Sequence, residues 1–317
     1  MSVIVLGSIN IDIVAKVSRL PIAGETVHGS DFFTTAGGKG ANQAVAAARL
    51  GVETYLVGRV GGDRFGQELL TSLRDFSVQT EHAIVDDRAP SGTAVIVVDR
   101  HGENQIAIVA GANGNVGETD VESMSKLLPQ ARVLLMQLEI PLSTVELAAT
   151  IARKQKVPIV LDPAPAYQDI PAQLYASIDI ITPNETEASQ LLGMSVHNPE
   201  TARCAAIALR EKGVGTAIVK LGSQGVVCAT ASKTFFTPAF PVKAIDTVAA
   251  GDAFNGALAA AISNGLSIEQ AVMWGAAAGA LCATKSGAQS AMPSLDELKS
   301  FLDRHRDIAT SGVIPIL

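Results

Sequence analysis

Short apolar runs alternate with Ala- and Leu-rich stretches of helical period along almost the whole chain. The runs at Val3–Leu6, Thr54–Val57, Val133–Gln137, Ile159–Asp162, Ile180–Thr182, Ala217–Lys220 and Val226–Ala229 predict strands. Between them, Ala41–Leu50, Gly66–Asp75, Ser143–Gln155, Glu200–Lys212, Asp252–Ser263 and Ile268–Ala283 predict helices. The strands do not alternate apolar with polar positions, which suits a sheet covered by helices on both faces. This rhythm predicts an α/β fold with a mainly parallel central sheet. No Pro/Ser-rich linker or charge run interrupts it, so residues 1–317 read as one domain.

Two segments break the rhythm. Residues 11–36 and 91–110 read as short strands with polar turns, and "DRHGEN" in the second is a hairpin turn between two apolar runs. Both border glycine-rich or polar stretches. They are read either as a small β-sheet lid over a site or as ordinary surface hairpins.

Composition narrows the function classes. Of the 317 residues 48% are hydrophobic and 17% charged, enough apolar material for a large core and too little charge for disorder. The net charge is -7, aromatics are 4%, and there is no basic run, which argues against nucleic-acid binding. The three cysteines, Cys204, Cys228 and Cys282, lie far apart, so they are expected to be reduced, buried and cytoplasmic. The start, "MSVIVLGSINID", has no signal-peptide character, and no apolar run is long enough to span a membrane.

The usual nucleotide and hydrolase motifs are missing: there is no GxxxxGK[ST], no GxGxxG behind the first strand, no HExxH and no GxSxG. What remains is polar residues where strands end, the place where open α/β sheets bind ligands. Asn10 and Asp12 stand two apart, so on an extended chain they point the same way and can grip a vicinal diol; a turn cap would explain either alone. "GGKGANQ", Gly37 to Gln43, opens a helix with glycines that permit close approach and with Lys39 and Asn42 as donors; a flexible loop is the plain alternative. Glu139 follows a strand. Asn184 and Glu187, three apart, can hold water around Mg²⁺ or simply cap a helix. Lys220 to Gly225, "KLGSQG", is a strand and glycine turn suited to a nucleotide. In "DTVAAGDAF", Asp252 reads as an N-cap, or as a base beside an anion site; alone, the stretch favours the cap.

Taken together, "GSINID", "GGKGANQAVAAA", "QLE", "DPAPA", "TPNETEA", "LGSQG" and "DTVAAGDAFNGAL" make the chain resemble the PfkB-type carbohydrate kinases, motif for motif and in order over nearly its full length. The resemblance is strongest to members that act on free ribose. It implies a three-layer α/β fold with a small β lid, and ATP-dependent phosphorylation of the ribose 5-hydroxyl with Mg²⁺ and a monovalent activator such as K⁺. By that likeness Asn10, Asp12, Gly38, Lys39, Asn42 and Glu139 bind the sugar and Asp252 is the base. The N–H groups of Ala249, Ala250, Gly251 and Asp252 form an anion hole. Asn184 and the turn of Lys220, Leu221, Gly222, Ser223, Gln224 and Gly225 meet ATP, together with Gly251 and Asp252. Glu187 orders Mg²⁺ through water, and Asp246, Val248, Cys282, Lys285, Gly287 and Ala291 mark the K⁺ site. The family's lid also implies a homodimer.

Several positions depart from the family pattern. Ala249 replaces a glycine, Ala291 a serine at the last K⁺ ligand, Lys220 a threonine common in the nucleotide turn, and Ala276 a polar residue often near adenine. Deoxyribose, another pentose or a nucleoside is the alternative acceptor, and a non-catalytic sugar or nucleotide sensor is a third reading. The intact Asp252 turn speaks against the sensor.

Overall fold

The computed structural model describes residues 2–167, 169–311 and 314–315. In chain order the elements are β1 (Ser2–Leu6), β2 (Asn10–Val17), β3 (Gly29–Gly37), α1 (Lys39–Arg49), β4 (Glu53–Gly61), α2 (Arg64–Asp75), β5 (Ala83–Asp86), β6 (Gly92–Val98) and β7 (Asn104–Val109). There follow α3 (Glu118–Leu127), β8 (Ala131–Gln137), α4 (Leu142–Lys154), β9 (Ile159–Asp162), α5 (Ala172–Ser177), β10 (Ile180–Ile181), α6 (Glu185–Leu192) and α7 (Pro199–Glu211). The last part holds β11 (Thr216–Lys220), β12 (Val226–Ala229), β13 (Thr234–Thr237), α8 (Ala250–Ser263), α9 (Ile268–Ala283), α10 (Leu295–Arg304), α11 (Arg306–Ser311) and β14 (Ile314–Pro315).

A ten-stranded sheet runs in the order β14-β13-β12-β11-β10-β9-β8-β1-β4-β5. From β11 to β5 every neighbour pair is parallel, and β12, β13 and β14 add an antiparallel edge. The uniformly apolar strands are explained by what covers them. Val3 and Val5 of β1 belong to a core with α1, α8 and α9, whereas Ile4 and Leu6 belong to a second core with α3, α4 and α7. Successive side chains point to opposite faces, so a strand buried on both must be apolar throughout.

The smaller sheet has the order β3-β2-β6-β7. Its two hairpins are those expected at 11–36 and 91–110, and they join through a parallel β2–β6 pairing that the pattern did not reveal. The "DRHGEN" turn is held by Asp99, whose Oδ1 accepts the N–H of His101 at 2.8 Å and of Glu103 at 3.1 Å.

All the predicted strands and helices are present, with ends shifted by a few residues. One shift matters: α8 starts at Ala250, not Asp252, because Ala249 takes a left-handed turn (φ 59°) and occupies the cap position without a side-chain bond. Asp252 is therefore not the cap. The expectation for the cysteines holds for Cys228 and Cys282, which are buried; Cys204 is exposed on α7. Among the described residues no helix is long and apolar enough to cross a membrane.

Candidate active site

Five strand ends supply the site, all at the carboxyl edge of the parallel sheet, where the backbone stops pairing and side chains become available. β1 is followed by Ser8, Asn10 and Asp12, β8 by Glu139; β9 ends in Asp162, β10 leads to Asn184, and β11 ends in Lys220.

On one side lies a polar group built from β2, the start of α1 and Glu139. Gly38 precedes α1 with φ 87°, and a Cβ there would stand 2.7 Å from the Asn10 nitrogen, so only glycine fits both the turn and the crossing. Glu139 braces this loop: its Oε2 accepts the Ser8 hydroxyl at 2.5 Å and the Lys39 N–H at 3.1 Å. Burial, with the charges of Glu139 and Asp252, pushes the Asp12 carboxyl up to about 7.

At the centre is Asp252, buried in the first turn of α8. Its Oδ2 accepts Asn42 Nδ2 at 3.0 Å, and its Oδ1 accepts Gln43 Nε2 at 3.0 Å. Burial pushes its carboxyl up to about 6; Asp162 adds to the rise, while the Lys39 ammonium and the two amide bonds restrain it. Burial pulls the Lys39 ammonium down, but Asp252, Asp162, Glu139 and Glu187 outweigh it and hold it above its usual value. Of the expected anion-hole donors, Ala250 spends its N–H on Thr247 O at 3.2 Å, whereas Ala249, Gly251 and Asp252 have no acceptor among the described residues. Free N–H groups at a helix start favour an anion.

On the other side a cleft of about 700 Å³ opens between α6, the β11–β12 turn, the 239–249 segment, α8 and α9. Lys39, Asp162, Asn184, Glu187, Lys220 and Gly251 reach it, as do Gly222, Ser223 and Gly225, and Ala276 lies on its α9 wall. Two residues of the expected turn do not: Leu221 is buried in the core, and Gln224 turns away to donate to His197 O at 3.0 Å. Asn184 and Glu187 form a capping box for α6, with Asn184 Oδ1 accepting Glu187 N–H at 2.8 Å and Glu187 Oε2 accepting Asn184 N–H at 2.8 Å. Burial and the neighbouring Asp162 push Glu187 up, against the opposing pull of Lys220.

The segments 246–248 and 285–287 meet at Asp246, which accepts Val248 N–H at 3.0 Å and Gly287 N–H at 3.0 Å. Lys285 directs its ammonium to Glu297 at 2.7 Å, and the Cys282 thiol contacts Val248 O at 3.8 Å. Ala291 is buried nearby in chain order and has no polar atom beyond its backbone.

Reading of the sequence missed part of this centre. Gln43 Nε2 bonds Asp162 at 2.9 Å as well as Asp252, and Gln137 Nε2 donates to Gln43 Oε1 at 2.6 Å. Lys220 Nζ reaches Asp162 at 3.2 Å. The signal for Gln43 was its place four residues after Lys39, hence on the same helix face. Asp162 was visible as the polar end of an apolar strand and the first residue of "DPAPA", with no role attached.

Known proteins similar to this chain fall in one family. The family model described as pfkB family carbohydrate kinase matches residues 1–295. A ribokinase of Haemophilus influenzae is 42% identical over 299 residues, covering 94% of this chain and 97% of that protein. A deoxyribokinase of Salmonella typhi is 33% identical over 302 residues, covering 95% and 99%. The structure of an Arabidopsis thaliana ribokinase complexed with ribose and ATP superposes with a TM-score of 0.88 at 36% identity, covering 95% of this chain and 98% of that one.

Proposed function

Because this chain belongs to the pfkB family of carbohydrate kinases, we propose that it transfers the γ-phosphoryl group of ATP to the 5-hydroxyl of D-ribose, giving ribose 5-phosphate and ADP. The observation that carries the reading is the place of Asp252. A buried carboxylate stands between a diol-binding group on β2 and a nucleotide-sized cleft, beside free N–H donors of the α8 start.

Asn10, Asp12, Gly38, Lys39, Asn42 and Glu139 hold the sugar, and Asn184 with Lys220, Gly222, Ser223 and Gly225 holds the nucleotide. Asp252, held by Asn42 and Gln43, takes the proton of the 5-hydroxyl as its oxygen attacks the γ-phosphorus. The N–H groups of Ala249, Gly251 and Asp252 and the Lys39 ammonium face the charge that spreads over the phosphoryl oxygens, while the Ala250 N–H is spent on Thr247. Fixed dipoles need no rearrangement at that moment, which is why they stabilise the transition state more than the ground state.

The residues fit two metals. Asp162 lies across the cleft from Glu187 and helps push its carboxyl up, a strain that a divalent cation would relieve; Mg²⁺ held through water at Glu187 would supply positive charge to the ATP phosphates. Asp246 ties the two segments at 246–248 and 285–287, and the backbone oxygens of Val248, Cys282, Lys285, Gly287 and Ala291 beside it would hold K⁺. The small sheet serves as the lid that excludes water. Its exposed apolar residues, including Phe32, Ile106, Ile108 and Val109, support a homodimer through that face. The reaction is placed in the cytoplasm.

The deoxyribose reading is favoured by one observation, the likeness to the Salmonella deoxyribokinase. The deciding assay is ADP release with ribose, deoxyribose, other pentoses and adenosine, each with Mg²⁺ and with or without K⁺. Ribose is expected to give the highest kcat/KM. A stronger preference for adenosine or deoxyribose overturns the acceptor, and no turnover with any of them overturns the kinase.

Gly37 provides a separate check of the sugar side. A Cβ at this position would stand 2.7 Å from Asp12 Oδ1, so Gly37→Ala must push the carboxyl aside. KM for ribose is expected to rise by roughly tenfold, the scale of one lost charged hydrogen bond, with kcat changed much less. Steady-state kinetics reads both; an unchanged KM removes Asp12 from the sugar contacts.

A further inference from the structure

Asn113 lies in the short 3-10 turn after β7 and is almost fully buried. Its two side-chain ends are told apart by chemistry. The Ile9 N–H can only donate, so the Asn113 atom 2.9 Å from it is the amide oxygen. The other end is then the NH₂, which lies 3.2 Å from Ile9 O and 2.7 Å from the Asn10 side chain. Only an acceptor belongs opposite an NH₂, so Asn10 turns its Oδ1 inward to Asn113. The Asn10 NH₂ then has no protein acceptor among the described residues and is not sealed into the core.

The register makes this arrangement possible. Asn10 is paired with Gly92 across β2 and β6, and a Cβ at 92 would overlap both Asn113 Nδ2 and Asn10 Oδ1. The space that the two amides share exists because that position carries no side chain.

We propose that Asn113 is a positioning residue that fixes the polarity of Asn10, so that Asn10 offers the sugar a donor and never an acceptor. Two residues on, ionised Asp12 offers only acceptors. A hydroxyl that accepts from Asn10 keeps its own proton for another partner, and a ligand lacking that hydroxyl leaves a buried NH₂ unpaired, which is how a polar site rejects a deoxygenated analogue. The inference rests on the reading of Asn10 as a sugar contact.

Asn113→Asp tests it. The ionised carboxylate still accepts the Ile9 N–H but now faces Asn10 with an acceptor, so the Asn10 amide turns and shows its oxygen to the sugar. With ribose and saturating ATP at pH 9, KM is expected to rise about tenfold or more, with kcat within about threefold of the parent. In an Asn10→Ala background the same substitution is expected to raise KM no further. As pH is lowered and the buried carboxyl gains a proton, its O–H again donates to Asn10, so KM relative to the parent enzyme falls back.

A parent-like KM for Asn113→Asp beside a raised KM for Asn10→Ala overturns the inference while leaving the sugar contact intact. An equal rise in both backgrounds also overturns it, since the effect is then structural. If Asn10→Ala itself leaves KM unchanged, the sugar contact falls, and this inference with it. Should Asn113→Asp fail to fold, Asn10→Asp keeps the Asn113 bond and exchanges only the NH₂ for oxygen. It is expected to show the same rise in KM, and ribose binding as tight as in the parent overturns the proposal.

Discussion

Asp252→Asn is expected to lower kcat by roughly 10³-fold, the usual contribution of a positioned general base, while leaving ribose affinity within a few-fold. The shape is kept, and the surroundings can adapt. Asn42 has a buried Oδ1 without a partner among the described residues, so its amide can turn and accept from the new NH₂ where its own NH₂ now meets the carboxylate. The variant is also expected to be more stable at neutral pH. Asp252 titrates at about 6 in the folded protein against an ordinary 3.8, so the folded state holds its proton more tightly than the unfolded chain. That stabilisation is complete below 3.8 and is lost as pH rises through about 6. Above it the ionised carboxylate costs roughly 3 kcal/mol, which the neutral amide avoids. Thermal unfolding at pH 8 and pH 4 reads this: the gain over the parent should appear at pH 8 and vanish at pH 4. Calorimetric titration with ribose and single-turnover ADP release read the rest. Turnover within tenfold of the parent removes Asp252 as the base.

This trade of stability for chemistry explains why the residue was hard to read. From sequence, Asp252 looked like a cap because Ser, Asp and Asn favour helix starts. The true cap, Ala249, is left-handed and bears no polar atom, a conformation that no local rule assigns to alanine. The central strands were legible because burial on both faces forces unbroken apolar runs, as in Val3–Leu6. Helix α3 was not: in Glu118–Leu127 only Val121, Met124 and Leu127 carry the apolar face, too few to stand out from a polar loop. β5 and β13 are four residues each, below the length at which alternation can be recognised. The site divided in the same way. Residues in glycine-rich or strand-end segments, such as Asn10 and Lys39, announced themselves as polar groups in unusual places. Gln43, Gln137 and Asn113 did not, because each serves another side chain that arrives from far along the sequence. Such pairings depend on topology, which local pattern does not carry.

Lys39→Met is expected to move the acid limb of activity as well as lower its plateau. In the parent, Asp252 at about 6 and Asp12 at about 7 lose activity together as pH falls, the first because a base must be ionised, the second because a protonated carboxyl accepts fewer hydroxyls. Lys39 is the charge that restrains Asp252, and it works against burial and Asp162. Removing it should therefore raise the Asp252 midpoint and shift the kcat limb to higher pH. The plateau should also fall by about 10²-fold, since a cation facing the transferred phosphoryl group is lost. Lys39→Arg separates charge from shape: if electrostatics is the cause, arginine restores the limb even where its bulk lowers the plateau. A pH profile of kcat for the three proteins decides. A limb that stays in place in Lys39→Met means that burial, Asp162 and the Asn42 and Gln43 bonds set the Asp252 midpoint, and that Lys39 acts on the phosphoryl group rather than on the base.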